Sequence, residues 1–172
     1  MLTNTVGERC PLVAECSAYR PHRPAGFRCP ITTRIRHEIW VKLLGNVAFN
    51  PISALTGGTL EELARHPDVA RVVRQVMQET EAVAAKLEIE LPISIDQRMA
   101  GAENVGAHKT SMLQDCEAGR PMELEAIVGA VVELGERLGV SMPATRVVYA
   151  CTKLLGEHRE RRVVPRVEEV TR

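Results

Sequence analysis

ITTRIRHEIWVKLLGNVAFNP, residues 31–51, is the stretch whose reading decides the fold. Ile31, Ile35, Ile39, Leu43 and Val47 recur at every fourth position, with Trp40, Leu44 and Ala48 beside them. That spacing is the period of an α-helix, and apolar residues almost all round its second half make it a central one. Pro51 has no N–H to donate and is expected to bend or break the helix where it stands.

Working outward, residues 1 to about 24 show no period, and YRPHRPAG carries two prolines and a glycine. This segment is expected to be a poorly ordered arm. On the other side TGG, residues 56–58, marks a turn. Thr59 follows as an N-cap, with Glu62 three residues on in a capping-box pattern. Pro67 opens a second long helix, striped by Val69, Val72, Val73, Val76, Val83 and Leu87. LPISIDQRMAGAENVG and TSMLQDCEAG each predict a shorter helix. MELEAIVGAVVELGERLG predicts a third substantial one, closed by Gly139 as a glycine cap. The last helix starts near Pro143 and runs into a charged tail. No useful strand alternation occurs, so the chain reads as all-α with about six helices. The expected organisation is an arm over 1–24, a helical domain over 25–160 and a charged tail over 161–172.

Composition narrows the functions. The 172 residues are 45% apolar, enough for a core. The 22 basic and 22 acidic residues cancel, and aromatics are 3% of the chain. Neither a nucleic acid nor an anionic membrane finds an electrostatic or stacking platform here. No apolar run approaches the ~20 residues of a membrane span. The N-terminus lacks the basic start and apolar core of a secretory signal, so a cytoplasmic protein is expected. The five cysteines form no CxxC pair and read as free thiols. A zinc set of Cys10, Cys16, His22 and Cys29 is conceivable but fits no familiar spacing, and no metal is expected.

Two polar constellations carry chemistry. Lys42, Asn46 and Asn50 lie four apart, offset by about 40° per step, and make a narrow polar stripe on the greasy helix. One reading is a solvent-facing edge. The other is the wall of a cleft for an uncharged or anionic ligand, where a partly desolvated lysine is suited to giving up a proton. The second constellation is HKTSMLQDCEAGRPMELE, residues 108–125. Ser111 enters a short helix, either as a plain N-cap or as a site for a carboxylate. Asp115 and Arg120 are placed to pair. Glu123 stands near the start of the next helix, where acids are favoured in any case.

Taken together, Lys-x3-Asn-x3-Asn-Pro, Ser-Met-x-Gln-Asp and Gly-Arg-x-x-Glu stand in the order and approximate spacing of one family. The stretches AGFRCPITTRIRHEIWVKLLGNVAFNPISALTGG and HKTSMLQDCEAGRPMELEAIVGAVVELGERLGVSMPATRVVYACTKLL resemble the C-terminal domain of the ketopantoate reductases, 2-dehydropantoate 2-reductases. The resemblance implies an all-α bundle of the 6-phosphogluconate dehydrogenase-like kind. It implies an NADPH-dependent reduction of a 2-keto acid, ketopantoate to pantoate, in pantothenate biosynthesis. Lys42 matches the family's general acid, and Asn46, Asn50 and Ser111 match substrate-binding positions. Glu123 matches a glutamate beside the catalytic lysine and the nicotinamide ribose. Two features depart from the family. Its dinucleotide-binding domain has only an unrelated arm in its place here, and TGGTL stands where an asparagine often follows the Asn-Pro helix. The chain is therefore expected to act with a Rossmann domain on a separate chain, and to form a homodimer if it assembles. The alternative is a non-catalytic helical dimerisation or scaffold module derived from that family.

Overall fold

Helix α1, Ile35–Thr56, is the axis of the fold. The structure is a computed structural model in which residues 32–163 are described. The expected N-terminal arm, the conceivable zinc set and residues 164–172 of the charged tail lie outside those residues. From Leu44 onward α1 buries nearly every side chain it carries, including Val47, Ala48, Phe49 and Ile52. It does so because α3, α5 and α7 all pack against it. Each fully buried Leu or Val of this kind contributes roughly 1.5–3 kcal/mol of transfer free energy.

Two expectations about α1 are corrected. Helical structure begins at Ile35, with Thr32–Arg34 outside the helix. Pro51 does not end it: the helix continues to Thr56 with Pro51 buried inside. The proline removes one backbone donor and its ring crowds the carbonyl four residues back, a cost that the burial of the flanking turns in the core offsets. The actual stop is Gly57, whose φ of 72° is the left-handed conformation that glycine adopts freely. Its N–H bonds back to the Ser53 carbonyl at 2.8 Å.

The remaining elements follow local chemistry. Helix α2, Leu60–Arg65, is separate from α3 and opens on the predicted capping box of Thr59 and Glu62. Helix α3, Pro67–Lys86, has Pro67 in its first turn and His66 as N-cap, whose Nδ1 accepts from Val69 N–H. Its buried stripe of Val73, Val76, Met77 and Val83 lies against α1. Helix α4, Ile95–Val105, starts with a second capping box, Ser94 with Gln97, and packs on α2. Helix α5, Ser111–Glu117, is a short piece against α1.

Leu124 begins the next helix, which opens with a wide π-helical segment, Glu125–Gly129, before continuing as α6, Ala130–Arg137. Gly139, with φ of 67°, closes it as expected. Helix α7 runs Pro143–Val163. Among the described residues there is no strand, so the architecture is all-α. No described helix is long and apolar enough to cross a membrane.

Candidate functional site

The stripe on α1 faces a cleft of about 610 Å³. That is within the range of small-molecule sites. Lys42, Asn46 and Asn50 form one wall, Ser111 another, and Glu123 stands beside them. The structure thus brings all five sequence-predicted residues to a single cavity, from three separate parts of the chain. Helix α5 reaches it because Met112, Leu113 and Cys116 bury into the core and turn the start of the helix outward. Glu123 reaches it as the last residue before the helix that Leu124 and Val128 anchor.

The five differ in environment. Lys42 is exposed, which corrects the expectation of a partly desolvated ammonium in this chain. Asn46 is half-buried. Asn50 is 4% exposed and its Nδ2 has no hydrogen-bond partner. A buried amide donor left unpaired costs about 1–3 kcal/mol, so such groups in native structures call for an explanation. Asn50 has one close at hand, since it lines an open cavity. Ser111 is not the N-cap of α5. Thr110 holds that position and its Oγ1 accepts from Leu113 N–H at 3.2 Å. The Ser111 hydroxyl is exposed and takes no part in the cap. Asp115 and Arg120 pair as expected, at 2.6 Å, which pins the turn between α5 and Glu123.

Sequence reasoning missed Arg98. This residue of α4 lies in the same cleft, and its Nε is buried without a hydrogen-bond partner. Its guanidinium rests on Gly45, between Lys42 and Asn46: a Cβ at position 45 would lie 2.6 Å from Cζ. Gly45 was the available signal. A glycine inside a long buried helix costs about 1 kcal/mol relative to alanine and marks a close approach. His108 also lines the cleft, and its carbonyl accepts from Leu60 N–H at 3.0 Å, tying the loop before α5 to α2.

Chemically the cavity offers an ammonium, a guanidinium, two amides, an imidazole, the hydroxyls of Thr110 and Ser111 and one carboxylate. That donor-rich set suits a small ligand bearing several oxygen acceptors. Among the described residues no group of three metal-ligating side chains is assembled.

Comparisons with known proteins agree with one another. Residues 34–156 match the family model described as "Ketopantoate reductase PanE/ApbA C terminal". A 2-dehydropantoate 2-reductase of Mesorhizobium japonicum is 47% identical over 135 residues, covering 78% of this chain and 41% of the relative. Among solved structures, a 2-dehydropantoate 2-reductase from Methylococcus capsulatus is 42% identical with a TM-score of 0.66, over 73% of this chain and 44% of the other. A PanE/ApbA family ketopantoate reductase from Ralstonia eutropha superimposes with a TM-score of 0.75 at 29% identity, over 80% of this chain and 47% of the other. The chain spans about two fifths of the length of the Mesorhizobium relative. The helical architecture, the three motifs and the family match together assign this chain to the ketopantoate reductase family, as a bearer of its C-terminal domain.

Proposed function

We propose that the cleft is the substrate-binding and proton-donating half of an NADPH-dependent reductase acting on a small 2-keto acid, with ketopantoate the foremost candidate. The observation that carries this reading is the convergence of Lys42, Asn46, Asn50, Ser111 and Glu123 on one cavity, with a buried donor of Asn50 left unpaired. NADPH, when bound, supplies the hydride that reaches C2. Lys42 gives the proton: from the wall of the cleft its ammonium serves the charge that develops on the carbonyl oxygen and converts it to a hydroxyl. Asn46 and Asn50 orient the substrate's carbonyl and hydroxyl groups through their amides. The Ser111 hydroxyl contributes one further hydrogen bond.

The residues fit the nicotinamide end of such a cofactor only. Glu123 is exposed at the cleft, and its carboxylate suits a ribose hydroxyl. The described residues hold no strand, hence no glycine turn between strand and helix to receive a pyrophosphate. A dinucleotide-binding domain docked over the Lys42 side would supply that part. It would also exclude water from a lysine that stands exposed in this chain.

The test is to join this chain to the part of the Mesorhizobium relative outside the matched region and follow NADPH oxidation. Ketopantoate-dependent turnover is the expected result. A folded fusion that binds NADPH and oxidises none with any 2-keto acid would remove the reading, leaving the helical scaffold module in its place. The chain alone should bind NADPH weakly, read by its fluorescence.

A further inference from the structure

Arg98 belongs to none of the three motifs that mark the cleft, and no carboxylate pairs with it among the described residues. Most other arginines of the bundle are tied to acids on the surface: Arg74 to Asp96, Arg120 to Asp115, Arg146 to Glu136. Arg98 instead turns inward, with Nε buried and unpaired. Packing of its aliphatic stem would account for a half-buried arginine. It does not account for a planar cation laid over a backbone from which a side chain has been omitted.

We propose that Arg98 is the anion grip of this cleft, with Gly45 as its seat, and that it takes the carboxylate of the 2-keto acid. The inference rests on the reading of the cleft as a keto-acid site and deepens it. A guanidinium presents donors in a fixed fork that matches a carboxylate, and it stays charged at any physiological pH. The seat is well placed for that substrate class. Gly45 follows Lys42 by three residues, about 4.5 Å of helical rise. In a 2-keto acid the carboxylate carbon is bonded directly to the carbonyl carbon. A ligand whose carbonyl oxygen faces Lys42 therefore keeps its carboxylate within about one helical turn of that oxygen, a span that the guanidinium seated on Gly45 can reach. Ser111 offers a neutral hydroxyl to the same ligand, while the neutralising charge comes from Arg98.

The seat also explains the glycine. Alanine at 45 would favour the helix but would overlap the guanidinium. The overlap falls on the far end of a flexible side chain, so Gly45→Ala leaves a folded protein in which only the grip is displaced.

The experiment uses the whole chain and three probes titrated by NMR: 2-oxoisovalerate, its methyl ester and isovalerate. The expected result is that 2-oxoisovalerate binds about 10- to 100-fold more tightly than the uncharged ester, the range for a charge-assisted contact. Arg98→Met lowers this ratio several-fold, leaving only the weaker pull of the exposed Lys42 ammonium, with little effect on ester binding or thermal midpoint. Arg98→Lys, which keeps charge without the fork, restores part of it. Gly45→Ala lowers the ratio with Arg98 still present, and it carries the test if Arg98→Met does not fold. No preference for the carboxylate in the unsubstituted chain overturns the inference, and so does a preference that Arg98→Met or Gly45→Ala leaves undiminished. Isovalerate separates the two levels. Equal, Arg98-dependent binding of isovalerate and 2-oxoisovalerate keeps the grip and removes the keto-acid reading.

Discussion

Glu79 on α3 caps the start of α7 through Thr145, a residue 66 positions away. Its Oε2 accepts the Thr145 N–H at 2.8 Å and the Thr145 hydroxyl at 2.6 Å, and its Oε1 accepts the Ala144 N–H at 3.0 Å. Glu79 is 4% exposed and Thr145 fully buried, so no water can replace these bonds. A side chain from another helix thus performs the work usually left to a local N-cap. Glu79→Ala is expected to cost about 2–4 kcal/mol, combining a lost cap with buried donors left unpaired. Urea unfolding measures it. A loss below about 0.5 kcal/mol would show that α7 finds its cap elsewhere.

Lys42 separates activity from stability. Because it is exposed, Lys42→Ala should shift the unfolding free energy by no more than about 0.5 kcal/mol. In the fusion with a nucleotide-binding domain, the same substitution should lower kcat by about 10²–10⁴-fold, the range for a lost acid–base group. An unchanged kcat sinks the assignment of Lys42 as proton donor.

Asn50 should show the opposite balance. Its buried Nδ2 has no partner, so Asn50→Leu removes an unsatisfied donor from the core. Ligand-free stability should stay level or rise by about 1 kcal/mol. Substrate KM should rise, or turnover fall, in the fusion. A thermal midpoint that drops by many degrees would mean that the amide is structural.

Tyr149, Glu125 and Lys153 form a small surface network with a pH signature. Tyr149 Oη donates to Glu125 Oε2 at 2.5 Å, and Lys153 Nζ lies 3.0 Å from Glu125 Oε1. The Tyr149 hydrogen bond, with Lys153 behind it, holds Glu125 below its ordinary value of 4.5. The bond to Glu125 raises Tyr149 above 10.0 and Lys153 above 10.5. The depressed acid stabilises above its ordinary value, and that stability is lost as pH falls through its folded value. The two raised groups stabilise below their ordinary values and lose that as pH climbs through their folded ones. Stability should therefore hold level between these limits and fall at both ends. Tyr149→Phe should lower the plateau slightly and flatten the acid limb. Urea midpoints across pH read both, and an acid limb identical in the two proteins would contradict the linkage.

Much of this was legible because helical order is local. The repeat from Ile35 to Val47, the capping box at Thr59 and the glycine stop at Gly139 are each set by residues within four positions of one another. Pro51 misled for the same reason. Its effect on an isolated helix is to end it, and only the core around Val47, Ile52 and Ala54 holds the helix together beyond it. The π-helical segment at Glu125–Gly129 gives no sign in a stretch that reads as ordinary helix. Glu79 did leave a sign, an acid three after Val76 and four before Val83 on the apolar stripe of α3. Its partner lay too far along the chain to be named.

The sequence by itself determined the all-α class, the family and the line of Lys42, Asn46 and Asn50, since period and motif are properties of neighbouring residues. The tertiary structure alone decided what those residues meet. It left Lys42 exposed, buried Asn50, brought Ser111 and Glu123 to the same cavity and laid Arg98 over Gly45. Burial and pairing are sums over contacts between distant segments, and no local pattern records which helix will cover which face.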